Sequence, residues 1–186
     1  YTVTDITNWT PAQKATLPFF KHYAPLPVPG APANFHLASK TASGLYCGTI
    51  WVTAVAGQQA ALVGPSGTTM IDSFGDFFWW ACCPYRSVTF RESVAFDVNW
   101  AGAVVGSGNM PGSSQTSSQE PYRHPLLYTA ASGRADLLPD TSSGWATCIN
   151  NRGEIAGYAF GGATVNSGFR RSIDGEFTQL DAVPPG

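Results

Sequence analysis

A chain of 186 residues with 44% hydrophobic but only 12% charged side chains can bury a sizeable core, and its formal net charge of -2 supplies no basic footprint for nucleic acid or an anionic membrane surface. Gly (20) and Pro (14) are both plentiful, which is the composition of a turn-rich β protein whose surface polarity comes from Ser, Thr, Asn, Gln and Gly. No run approaches the ~18 apolar residues needed to cross a bilayer, so no membrane insertion is expected.

In chain order, YTVTDIT is rich in β-formers and alternates Tyr1, Val3 and Asp5 against Thr2, Thr4 and Ile6, the pattern of a strand detached from its own unit. Pro11 to Asn34, with APLPVPGAPANF, forms neither a helix nor a central strand and reads as an extended arm. Residues 1–36 are therefore taken as an N-terminal strand and Pro-rich arm, and residues 37–186 as a β-repeat domain.

Three diverged copies of one strand-turn-strand unit follow, over about 37–73, 95–140 and 145–182. The clearest is the last, where ATCINNRGEIAGYAF precedes SGFRRSIDGEFTQLD and Asp174-Gly175 supplies a tight hairpin turn. The same order occurs in VAFDVNWAGAVVGSG with HPLLYTAASGRADLLPD, and more weakly in ASKTASGLYCGTIWV with AALVGPSGTTMIDSF. Gly44, Gly102 and Gly153 mark turns that need positive φ, and Gly48, Gly106 and Gly157 mark strand sites where a side chain does not fit. Between the first two copies lies an insertion, 74–94, that carries Phe77, Phe78, Trp79, Trp80, Cys82, Cys83 and Tyr85. A Ser/Gln-rich loop, Gln115 to Gln119, interrupts the second copy and is expected to be exposed.

The segment INNRGEIAGY with GFRRSIDGEFTQLD resembles the repeat of the HAF family of bacterial extracellular proteins, the match being best over 146–181, and the opening YTVTDIT is similar to the way such proteins begin. That resemblance implies an exported, repetitive β protein of propeller-like structure, and it carries over no catalytic residues. The expected fold is all-β: a meander, propeller-like body of about three four-stranded units, with a β-sandwich as the alternative. Three units are too few for a usual propeller ring, which leaves an irregular ring, pooling of units between chains, or a sandwich.

Cys47, Cys82, Cys83 and Cys148 match neither zinc-ligand nor haem-attachment spacing, and an even count in such a chain points to disulfides in an oxidising compartment. A removed signal peptide would account for a first residue that is not Met, so the expected location is extracellular or at the cell surface.

No nucleophile elbow, zincin helix, P-loop or EF-hand loop is present, and GPSGTT at 64–69 reads as a hairpin turn. His22, His36 and His124 are scattered rather than clustered, so neither a metal nor a cofactor is expected. Asp72, Asp76, Glu92 and Asp97 flank the insertion and invite comparison with a paired-carboxylate glycosidase site, but that chemistry needs a specific separation across a sugar, and they are read instead as solvated loop carboxylates. The aromatic run Phe77 to Trp80 with Tyr85 is a candidate subunit interface or sugar-stacking surface. Tyr1, Val3 and Ile6 are candidates for strand exchange. The sequence thus points to a non-enzymatic secreted structural or adhesive protein that forms homo-oligomers or polymers, a filament subunit among the options. A carbohydrate-binding, lectin-like module with glycan partners is the alternative.

Overall fold

The computed structural model describes residues 28–53, 57–75, 77–80, 87–110, 114–115, 123–138, 143–160 and 167–180; at 53, 77–80, 87–90 and 114–115 only the backbone is described. The fold is all-β, and among the described residues no helix is long and apolar enough to cross a membrane.

Twelve strands make three four-stranded antiparallel meanders, each an open sheet rather than part of a closed barrel. Sheet I contains β1 (Phe35–Lys40), β2 (Tyr46–Thr53), β3 (Gly57–Gly64) and β4 (Gly67–Ile71). A hairpin of β5 (Phe77–Trp80) and β6 (Ser87–Phe90) follows. Sheet II contains β7 (Ser93–Val98), β8 (Val104–Asn109), β10 (Arg123–Thr129) and β11 (Gly133–Asp136), with the two-residue β9 (Ser114–Gln115) between β8 and β10 in the chain. Sheet III contains β12 (Ser143–Ile149), β13 (Ile155–Phe160), β14 (Ser167–Arg171) and β15 (Phe177–Leu180). The expected three units are the three sheets. The two insertions meet: β9 pairs in parallel with β5, through Phe78 with Ser114 and Trp79 with Gln115.

Each unit opens with the same device. The first two strands shift register between Leu37 and Ser39, Ala95 and Asp97, and Ala146 and Cys148, so one extra residue bulges from the first strand each time. The bulge changes the burial period: Ala95 then Val98, and Ala146 then Ile149, are three residues apart yet lie on the same side. It also explains the second glycine of each unit. A Cβ at Gly48, Gly106 or Gly157 would lie 2.1, 1.8 or 2.0 Å from the carbonyl oxygen of His36, Val94 or Trp145 on the bulged strand.

The first glycine of each unit closes the turn. Gly44, Gly102 and Gly153 have φ of +83°, +78° and +87°, and their N–H groups donate to the carbonyls of Thr41, Asn99 and Asn150. This is a type I turn followed by a left-handed residue. Asn99 and Asn150 reinforce it, each Oδ1 accepting two backbone N–H groups, those of Ala101 and Ala103 or of Arg152 and Glu154. Ser172 to Glu176 repeats the turn between β14 and β15, with Gly175 at φ +88°.

Units stack by a repeated rule: β7 lies across β1, β2 and β3, and β12 lies across β7, β8 and β10. Two apolar layers result. Cys47, Ala60 and Ile71 of sheet I meet Ala95, Val98, Val104 and Leu126 of sheet II, while Ala103, Val105 and Leu138 of sheet II meet Ala146, Ile149, Ile155, Ala159 and Phe169 of sheet III. Before β1, the end of the arm extends the first ladder, since Trp51 N–H donates to Asn34 O (3.4 Å) and Asn34 Nδ2 donates to Trp51 O.

Candidate functional site

Asp97 ties the three sheets together. The Ser39 hydroxyl of β1 donates to its Oδ1 (2.7 Å), as does the N–H of Val98 (2.9 Å), while the N–H of Ile149 in β12 donates to Oδ2 (3.0 Å). Ser39, Asp97 and Cys148 are equivalent residues, each just past the bulge of its first strand. Serines reinforce the stacking: Ser93 accepts Ala60 N–H (2.9 Å) and donates to Ile71 O, and Ser143 donates to Arg123 O (3.1 Å).

The side chains that sequence reading weighed for chemistry are engaged separately. Glu92 pairs with Arg123 at 2.7 Å, and Asp72 accepts from Gln59 at 3.1 Å. His124 is buried with its Nδ1 2.7 Å from Asp136, and His36 is exposed on β1. Asp76 and His22 lie outside the described residues. Among the described residues no group of three or more His, Cys, Asp or Glu is placed to hold a metal.

The expected disulfides are not seen among the described residues. Cys47 is a thiol sealed between sheets I and II, whereas Cys148 is a thiol exposed on sheet III; Cys82 and Cys83 lie outside the described residues. Burial pushes the Cys47 thiol up to about 12; the backbone at Ser39 opposes this, and the Asp97 charge adds to it.

For the aromatic insertion, the structure describes the backbone of Phe77 to Trp80 as β5, while their side chains and Tyr85 lie outside the described residues. Tyr1, Val3 and Ile6 lie outside them too. An aromatic surface is found instead on sheet III, on the face turned away from sheet II. Trp145 and Tyr158 are cross-strand partners with ring centroids 5.3 Å apart. Phe160 lies 4.9 Å from Trp145 and 5.5 Å from Tyr158, edge to face with both. Tyr158 stays 44% exposed and Leu180, opposite Gly168 on the same face, 45% exposed. Beside them Arg170 pairs with Glu154, whose carboxyl is held below its ordinary value first by the Arg170 hydrogen bond and then by Asn150.

Sequence reasoning did not single out this trio, yet the copies contain its signal. Trp145, Tyr158 and Phe160 occupy the places of Val94, Ser107 and Asn109 in the second unit, and of His36, Thr49 and Trp51 in the first. In sheet II the equivalent face is buried, and there Ser107 Oγ and both amide atoms of Asn109 have no protein hydrogen-bond partner. Only the third copy carries three rings at these places.

Compared with known proteins, the chain matches no family model, no curated protein and no solved structure.

Proposed function

We propose that the chain is a non-enzymatic, exported structural or adhesive protein that self-associates through its β units at the cell surface, as the subunit of an oligomer or filament. The observation that carries this reading is the outer face of the third sheet. A stacked array stays soluble where its uncovered outer surface is polar, and among the described residues the face of sheet III turned away from sheet II carries Trp145, Tyr158, Phe160 and Leu180 instead. Each large ring covers on the order of 150–250 Å² when buried, so a partner that covers three gains a substantial hydrophobic contribution. The low net charge of -2 leaves little long-range repulsion between copies. The resemblance of the repeats to HAF-type extracellular proteins agrees with export, and disulfides through Cys82 and Cys83 belong to the same proposal.

Light scattering on the native protein, with negative-stain images of the same sample, tests this. Large oligomers or fibres are expected, and a clean 19.7 kDa monomer at working concentration would overturn the reading. Sugar binding is the second reading, favoured by the same aromatic trio. Against it, Trp145 and Phe160 are inclined at 87° and Tyr158 and Phe160 at 85°, so these rings engage one another rather than form a flat platform. Binding on a glycan array, lost in Trp145→Ala, would establish it.

A further inference from the structure

We propose that the interface between sheets II and III contains a site for a pair of internal water molecules, formed by Ser107, Asn109 and Arg123 and closed towards solvent by the Glu92–Arg123 ion pair.

The strand register assembles this site. Asn109 of β8 stands opposite Arg123 of β10, and its N–H donates to Glu92 O on its other side, so Glu92, Asn109 and Arg123 form one row across the sheet. Ser107, between Val94 and Pro125, belongs to the next row on the same face. That face meets sheet III, because the Ser143 hydroxyl donates to Arg123 O and a Cβ on Gly144 would lie 3.3 Å from Pro125 Cδ. Ser107 and Asn109 are both 0% exposed, and four buried polar atoms of these two rows, Ser107 Oγ, Asn109 Oδ1, Asn109 Nδ2 and Arg123 Nε, have no protein partner.

Burying a polar atom without a hydrogen bond is costly, and folded chains seldom do it. Nothing in the strand requires an amide here, since the same place holds Phe160 in the third unit and Trp51 in the first. Nor does the backbone employ it: the Asn109 N–H is bonded to Glu92 and its carbonyl accepts the Gly75 N–H. The interface of sheets I and II behaves differently, because the buried Ser93 hydroxyl finds both of its partners in protein, at Ala60 N–H and Ile71 O.

The chemistry of the ligand follows from the four atoms. Arg123 Nε and Asn109 Nδ2 need acceptors, Asn109 Oδ1 needs a donor, and the Ser107 hydroxyl takes either part. An anion cannot donate to Asn109 Oδ1, and Glu92, 2.7 Å from Arg123 Nη2, already offsets the guanidinium charge. A cation would be set against the two N–H donors. With the Arg123 and Glu92 side chains only 20% and 17% exposed, the way in suits a small neutral molecule that both donates and accepts, which is water. Ser107 and Asn109 are two residues apart, about 7 Å along β8, a span for two hydrogen-bonded waters rather than one.

A crystal structure of the full chain at about 1.5 Å resolution should show two ordered waters, each about 2.7–3.2 Å from its protein partners and together reaching Asn109, Ser107 and Arg123 Nε. In solution, Ser107→Ala takes a partner from the bound water and should lower the urea midpoint by about 0.5 M, whereas deleting a hydroxyl from a dry, unpaired setting would raise it. A cluster found dry or paired to protein groups in the crystal overturns the site, as does a midpoint that is unchanged or raised in Ser107→Ala.

Discussion

Replacing Gly106 with Ala isolates the constraint that shapes every unit. The added methyl would sit 1.8 Å from the carbonyl oxygen of Val94, 2.9 Å from its carbon and 3.1 Å from Ala95 Cα, all backbone atoms. A carbon and an oxygen must separate to roughly 3.3 Å before they stop repelling, so two paired strands would have to part by about 1.5 Å at the bulge. The ladder there also carries the contacts of Ala95 and Val104 with sheet I, so the movement opens a core interface as well. The expected loss exceeds about 4 kcal/mol, at the upper end for a single substitution, out of a total that for most domains is about 5–15 kcal/mol. Gly133→Ala is the control: it has φ +71° and open space around its Cβ, so only the left-handed conformation is penalised, by about 1–2 kcal/mol. Urea unfolding followed by tryptophan fluorescence and circular dichroism gives both values. With a slope of about 2 kcal/mol per molar, Gly106→Ala should lower the midpoint by about 2 M or fail to fold while Gly133→Ala folds. Equal effects for the two variants would refute the steric account of the conserved spacing between the paired glycines of each unit.

Asp97→Ala removes an acceptor shared by all three sheets and leaves the backbone N–H of the buried Ile149 without it; a loss of about 3 kcal/mol is expected from chemical denaturation, with Ser39→Ala, which removes one of the three bonds, costing less. Alkylation of the folded protein at pH 8, mapped by mass spectrometry, should label the exposed Cys148 and spare Cys47. Because the folded Cys47 thiol titrates near 12 and an unfolded one near 9.0, its contribution is fully present below pH 9 and is lost as pH rises from 9 towards 12. Over that window the wild type should lose up to about 1.4 kcal/mol per pH unit more than Cys47→Ala, and parallel pH profiles for the two proteins would contradict the burial argument.

Much of the architecture is legible in the chain because it depends on local chemistry. A glycine that must adopt positive φ, a residue that caps its own turn (Asn99 and Asn150 through Oδ1, Thr41 through its hydroxyl), and a glycine pressed against a carbonyl recur in each copy, whatever the rest of the unit does. That is why the copies in the sequence coincide with the three sheets even where the first is weak. The bulge left a fainter mark. Its extra residue, Ala38, Phe96 or Thr147, has no shared side-chain character, since the residue serves only to shift the register.

The candidate site was less legible, for a reason of distance. Phe77 to Trp80 form an obvious aromatic run, whereas Trp145, Tyr158 and Phe160 are spread over two strands and become neighbours only through the β12–β13 register. Likewise nothing in SVAFDV marks Asp97 as the residue that joins three sheets, and nothing in the spacing of Cys47 distinguishes a sealed thiol from a disulfide partner.

Composition, turn residues and paired glycines therefore determined on their own that the chain is all-β, that it repeats three times, and where each hairpin closes, because φ limits and steric exclusion act within a few residues. Only the tertiary structure decided which faces are covered. Which side of a sheet meets a neighbour depends on how the next unit is laid across it, so the burial of Ala95 and Ala146 and the exposure of Tyr158 emerge only when the three units are stacked.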